Sequence, residues 1–243
     1  MEALKLKPQD TRVSTIKDWP IGQTTECAVS EVYMMDCVEG MKHYPDNYFD
    51  LAVVDPPYGI NITNQSQGKG GGVAKKIDYA KKDWDKHAPT SLYFSELLRV
   101  SRNQIIWGAN HFISSIPINS SCWIVWDKDN GATDFADCEL AWASFTTSVR
   151  RFKWTWAGMR QQNMADKEAR IHPTQKPTAL YSWIFANYAE SGQKILDTHL
   201  GSGSSRISAN KAGLHFVGFE IDPDYFDDSE ERFKKFVSQT RLF

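Results

Sequence analysis

The chain is expected to fold as an α/β protein around a mostly parallel central sheet flanked by helices. Three observations carry this. The run LAVV at 51–54 is a buried strand, too short and too β-branched for a helix. Residues 31–54 are spaced as strand, short helix, strand, a small βαβ-like unit that favours parallel pairing. Four strands end at or near an acid, Asp36, Asp55, Asp197 and Glu220, which would gather acceptors at one sheet edge.

A chain of 243 residues makes one domain, 1–243, and 41% hydrophobic residues suffice for a sizeable core. A net charge of −2 argues against coating nucleic acid by bulk charge but leaves room for a local basic groove. Four cysteines, Cys27, Cys37, Cys122 and Cys138, show neither CxxC pairing nor metal-ligand spacing, so reduced thiols in a cytoplasmic protein without a metal are expected. The first ten residues lack a signal peptide's apolar core, and no apolar run is long enough to span a membrane.

In chain order, 1–30 is a polar N-terminal arm. EVYMMDC (31–37) is a strand reaching Asp36, and VEGMKHY a short helix. Pro45, Asp46 and Asn47 turn the chain into the strand 49–54. Residues 60–87 form a long mobile Gly/Lys loop, with six lysines against three aspartates. Its composition fits either a solvated linker or a lid closing over a polyanion. A helix over 89–102 starts at Thr90 or Ser91, and strands follow at 103–109, 121–128 and 138–145. The stretch 148–160 interleaves Arg150, Arg151, Lys153 and Arg160 with Phe152, Trp154 and Trp156. That alternation suits a half-buried strand, and equally a surface that meets phosphates and stacks bases. HPTQKP (172–177) leads into a helix, KILD (194–197) is a strand, and a glycine loop opens a helix closed by Gly213. The strand 215–222 and a helix from Pro223 complete the chain.

Two stretches carry chemistry. Asp55-Pro56-Pro57-Tyr58 ends a strand rigidly, because two prolines remove two backbone donors. It presents a carboxylate, a free carbonyl and an aromatic ring where α/β sheets bind ligands. Gly201-Ser202-Gly203-Ser204 lets a ligand approach the backbone, but it lacks a third glycine and any lysine. A nucleoside cofactor without phosphates therefore fits better than ATP or NAD, with Glu220 placed to accept from both ribose hydroxyls.

These motifs resemble the S-adenosylmethionine-dependent DNA amino-methyltransferases that act on adenine N6 or cytosine N4. DPPY (55–58) resembles their catalytic motif, and D-x-x-L-G-S-G-S (197–204) their cofactor loop. HPTQKP and the stretch 35–60 match as well, in the order of the β class. The resemblance implies a Rossmann-like methyltransferase fold with a small inserted DNA-recognition region at 146–171. It implies S-adenosylmethionine as cofactor and assigns Asp55, Pro56, Pro57 and Tyr58 to catalysis. Asp36 would meet the adenine end of the cofactor and Glu220 its ribose; Asp197, Gly201, Ser202, Gly203 and Ser204 would line its methionine portion. Thr174, Gln175 and Lys176 are placed for the methionine carboxylate. His199 stands where the family usually has an aromatic residue, packing near the methionine portion. DNA contacts are expected from Lys69, Lys75, Lys76, Arg150, Arg151, Lys153 and Arg160.

The implied reaction is methylation of the N6 amine of a flipped-out adenine in double-stranded DNA. The alternatives are N4-cytosine methylation, whose motif more often begins with Ser, and a catalytically silent nucleic-acid-binding relative. The small size fits a free-standing modification enzyme of phage or prophage type. A homodimer and a cognate restriction enzyme are the other candidate partners, without an interface signature in the sequence.

Overall fold

The computed structural model describes residues 28–62, 82–116, 118–131, 136–157 and 160–240. Lys69, Lys75, Lys76 and nearly all of the arm 1–30 lie outside the described residues. The first strand is β1 (Ser30–Met34), followed by α1 (Cys37–Met41) and β2 (Phe49–Val54). Then come α2 (Ser91–Val100), β3 (Ser101–Trp107), β4 (Cys122–Asp127), β5 (Cys138–Ala143) and β6 (Arg150–Lys153). A small hairpin pairs β7 (Trp156–Ala157) with β8 (Arg160–Gln161). The chain closes with α3 (Thr178–Tyr188), β9 (Lys194–Asp197), α4 (Ser204–Lys211), β10 (His215–Glu220) and α5 (Pro223–Thr240).

Eight strands form one sheet in the order β1-β10-β9-β2-β3-β5-β4-β6. Every neighbouring pair is parallel except those made by β5, which runs antiparallel to both β3 and β4. The carboxyl ends of seven strands therefore share one edge with the amino end of β5. This placement is decisive, because it brings Glu139 to the edge that Asp55 occupies.

Two apolar layers sandwich the sheet. On one face, Leu51, Val53, Ile105, Ile124 and Phe152 pack against Leu180, Ile184 and Phe185 of α3 and Ala209 of α4. On the other, Ala52, Val54, Ile106 and Phe219 pack against Met41 of α1 and Tyr93, Phe94 and Leu97 of α2. Burial on both faces explains why the central strands read as continuous apolar runs. Each large side chain in these layers contributes roughly 1.5–3 kcal/mol by leaving water.

Within the expected recognition segment 146–171, β6 is an edge strand of the main sheet, paired with β4, because Phe152 has an apolar layer to enter, and β7 and β8 form a hairpin outside that sheet. The distal end of the 60–87 loop is anchored. Asp85 is buried and accepts from the backbone N–H of Gly59 at 3.0 Å and of Ile62 at 2.9 Å. Lys82 pairs with Asp222 at 2.5 Å and Asp224 at 2.8 Å.

Candidate active site

The four acids singled out in the sequence belong to four adjacent parallel strands, β1, β10, β9 and β2. Register fixes their spacing: Met34 lies beside Glu220, Gly218 beside Asp197, and Leu196 beside Ala52. Asp36 stands two residues past β1 and caps α1, accepting from the N–H of Val38 at 2.9 Å and of Glu39 at 3.0 Å. The Glu220 carboxylate accepts from the N–H of Gly201 at 2.8 Å, Asp222 at 2.9 Å and Ile221 at 3.0 Å. Burial nevertheless raises its pKa, against those backbone bonds.

The glycine loop reaches this edge through two left-handed residues, Gly201 at φ 51° and Gly203 at φ 69°, where a side chain would be strained. Gly203 caps α4. Burial pushes the Asp197 carboxyl up to about 7, although it accepts a 2.5 Å bond from the Ser205 hydroxyl and one from the His199 N–H at 3.1 Å. Burial also lowers His199 to about 4. Its Nδ1 lies 3.0 Å from the Thr198 hydroxyl, which in turn bonds the buried Tyr93 hydroxyl at 2.7 Å. Arg232 of α5 holds the loop from behind, donating to the Ser202 carbonyl at 2.7 Å and the Ser204 hydroxyl at 2.9 Å. Its other nitrogen donates to Glu168 at 2.8 Å, and Glu168 accepts from the Thr178 N–H at the start of α3. Tyr93, Thr198, Arg232 and Glu168 carry no motif, and nothing in the sequence marks them.

At the end of β2, Pro56 is buried and Asp55 is largely so, its side chain 17% exposed. No described residue donates to the Pro56 carbonyl. Tyr58 donates its hydroxyl to Asp55 at 2.8 Å. Lys176 lies 2.5 Å from the other Asp55 oxygen and 3.1 Å from Glu139, and donates to the Tyr58 hydroxyl at 3.2 Å. Glu139 also pairs with Lys128 at 2.5 Å. Two carboxylates and two ammonium groups thus alternate across β2, the segment before α3, β5 and the end of β4.

The charges in this chain tune one another. Burial opposes the Glu139 charge, but the Lys176 and Lys128 ammonium groups outweigh it and hold the carboxyl at about 2. Burial works against the Lys176 charge too, and Asp55 and Glu139 overcome it, so its pKa rises. For Asp55 burial is the stronger influence and raises its pKa, against the pull of Lys176. Lys176 and Glu139 stay charged because each has close, hydrogen-bonded opposites; an isolated buried ion would not.

The structure therefore puts Lys176 at Asp55, not in the glycine loop. Gln175 is spent on local backbone: it accepts from the Ile171 N–H at 3.0 Å and donates to the Ala169 carbonyl at 3.0 Å. Thr174 bonds His172 Nδ1 at 3.1 Å, and the His172 ring lies within 4 Å of where a Gly201 side chain would begin. Exposed Arg150 and Arg151 stand on β6; Arg151 lies 3.9 Å from Asp127, and Lys153 pairs with Asp129 at 3.0 Å. Arg160, exposed, begins β8.

Gly108 follows β3 at φ 68°, and a methyl group there would lie 2.0 Å from Tyr58 Cε1. Gly108→Ala is expected to cost about 1–2 kcal/mol in left-handed strain alone and to displace Tyr58 as well. A thermal unfolding curve and a methyl-transfer rate measure the two effects. An unchanged rate would contradict the placement of the ring.

A family model described as DNA methylase, N6_N4_Mtase, matches residues 125–231. "Type II methyltransferase M.HinfI" of Haemophilus influenzae is 23% identical over 82% of this chain and 67% of its own length. "Type II methyltransferase M2.MboI" of Moraxella bovis is 23% identical over 83% of this chain and 86% of its own. Solved structures share the fold. The M1.HpyAVI-SAM complex superposes with a TM-score of 0.51 at 21% identity, covering 84% of this chain and all of that one. PvuII DNA methyltransferase, cytosine-N4-specific, gives 0.56 at 12% identity, covering 87% and 91%. Among the described residues no helix is long and apolar enough to cross a membrane. The motif order in the sequence, the shared fold and the family model point one way: over residues 125–231 the chain matches the N6/N4 DNA methylase family, and S-adenosylmethionine is the cofactor that this match and the shared fold support.

Proposed function

We propose that this protein methylates the exocyclic N6 amine of adenine in double-stranded DNA, at Asp55-Pro56-Pro57-Tyr58. The observation that carries the reading is the pair of acceptors at the end of β2: the Asp55 carboxylate, and the Pro56 carbonyl that no described residue engages. An exocyclic amine has two N–H groups and a lone pair delocalised into the ring. Two fixed acceptors take both N–H groups and turn the lone pair toward an electrophile. Such positioning is worth about 7–11 kcal/mol in favourable cases. Asp55 also stabilises the cation that develops on nitrogen. Aspartate at the first motif position, where cytosine enzymes more often have serine, favours adenine.

The edge beside Asp55 suits S-adenosylmethionine. Asp36 and Glu220 are acceptors for the adenosine end, and the glycine loop lets backbone approach without a lysine for phosphate. Asp197, His199 and Gly201 to Ser204 would hold the methionine portion. When bound, the cofactor supplies an electrophilic methyl group on a sulfonium. Thr174 remains a candidate for its carboxylate, whereas Gln175 and Lys176 act nearby, by bracing the segment and pairing with Asp55. A base in a duplex must flip out to reach Asp55, at a cost of a few kcal/mol that stacking on Tyr58 partly offsets.

The test is expression in a methylation-free bacterial host, followed by sequencing that detects modified bases. The reading expects N6-methyladenine at one short recurring site. N4-methylcytosine would replace the adenine reading with its neighbour in the family, and an unmodified genome would refute both. The type II names of two relatives support a restriction-modification setting, with a cognate restriction enzyme as the accompanying activity.

We place the DNA contacts at Lys69, Lys75, Lys76, Arg150, Arg151, Lys153 and Arg160. Reversing the charge of Lys75, Lys76 and Arg150 together should weaken DNA binding and flatten its salt dependence, by about 0.9 in log–log slope for each phosphate no longer neutralised. Binding isotherms at several salt concentrations check this; an unchanged slope would remove these residues from the interface.

A further inference from the structure

Tyr58 is held at both its rim and its face. Its hydroxyl is fixed by Asp55 at 2.8 Å and Lys176 at 3.2 Å, so the ring cannot turn away without breaking buried bonds. Gly108 presses on it. A methyl group there would lie 2.4 Å from Cζ and 2.5 Å from Cδ1, nearly as close as to Cε1, which puts this backbone against a ring face. The stacked ring contact is His111, whose imidazole lies on Tyr58 with centroids 4.8 Å apart and planes 15° apart. His111 closes the short 3-10 turn Ala109–His111 after β3 and is exposed. Its ring nitrogens make no hydrogen bond among the described residues. Phe112, also near Tyr58, is 4% exposed and packs on Phe94 at 5.2 Å, so it buttresses the ring edge and is not displaceable.

We propose that His111 is a base-binding residue. In the free protein its imidazole stands on the face of Tyr58 where the target base stacks. When the base arrives the imidazole yields that place and backs the base from its other side. An offset-stacked pair leaves no room for a third ring, so His111 must move, and its exposed, unbonded ring on a one-turn element can do so. The inference deepens the reading of Tyr58 as the platform for a flipped base and rests on that reading.

The experiment follows transfer of labelled methyl from S-adenosylmethionine to genomic DNA from a methylation-free host. His111→Ala, His111→Phe and the unaltered protein are compared. Stacking on a base changes binding by about 5- to 150-fold on removal of the ring. His111→Ala should therefore lower kcat/KM for DNA about tenfold or more while leaving cofactor affinity and the unfolding temperature near those of the unaltered protein. His111→Phe, which keeps a stacking ring without the nitrogens, should restore most of the loss. Equal kcat/KM in His111→Ala and the unaltered protein would overturn the proposal, as would a Phe variant as impaired as the Ala variant. Failure of the unaltered protein to label any DNA would overturn the parent reading and the proposal with it.

Discussion

Asp55→Ala is expected to reduce methyl transfer to DNA by about 10²–10³-fold or more, the scale of losing one preorganised charge at a reacting centre. Affinity for S-adenosylmethionine should stay close to that of the unaltered protein, because Glu220, Asp36 and the glycine loop are untouched. The alanine variant also removes one of two carboxylates from Lys176. Asp55→Asn is the sharper companion: it keeps the shape and an acceptor oxygen but loses the negative charge, and should be nearly as inactive. Single-turnover rates and cofactor titrations separate the two effects. Transfer near the original rate in either variant would remove Asp55 from the chemistry.

Lys176→Met is expected to be the most damaging substitution for stability at the site. Lys176 is 3% exposed and lies between Asp55 at 2.5 Å and Glu139 at 3.1 Å. Removing it leaves two carboxylates facing one another with Lys128 alone to balance them. Breaking a buried ion pair from one side costs about 3–5 kcal/mol, which for a chain of this size lowers Tm by roughly 2–4 °C per kcal/mol. Adding Glu139→Gln to Lys176→Met should recover part of that loss, because it removes the stranded charge. If the double variant is no more stable than the single one, the network does not work as described. The same network sets a pH window. Glu139 sits at about 2 in the folded protein against an ordinary 4.5, so its contribution is complete above the ordinary value and is lost as pH falls toward 2. Glu139→Gln should flatten the acid limb of the stability curve over that interval.

Features set by local chemistry are legible in the sequence. The strands at 49–54 and 194–197 are bounded by turn residues and filled with buried apolar side chains, and they appear at those positions. Asp36, Asp55, Asp197 and Glu220 stand out because each follows or ends a recognisable strand, and parallel neighbours place such ends together. Glu139 does not, since nothing in CELAWASF states that this strand runs against its neighbours. Only that reversal brings its first residues to the ligand edge. His111, Tyr93 and Arg232 act through partners far away in the chain, and Lys128 through the neighbouring strand β5, where no local pattern marks them. Lys176 is visible with its motif, which shows that a lysine precedes α3; its pairing with Asp55 and Glu139 is set by the packing of α3 against the sheet, which no local pattern states. The strand at 148–160 shows the converse. Its alternation of basic and aromatic residues leaves two readings open, and Phe152 entering the core settles the inward face while Arg151 and Lys153 remain outside.

In the proposed function, Asp55 and the Pro56 carbonyl present an adenine amine for methylation. Its most direct test is mass spectrometry of nucleosides from DNA incubated with the protein and isotopically labelled S-adenosylmethionine, with Asp55→Asn in parallel. Labelled N6-methyladenine is expected with the unaltered protein and almost none with the variant. Label on cytosine, or label on adenine that survives in the variant, would contradict the proposed function.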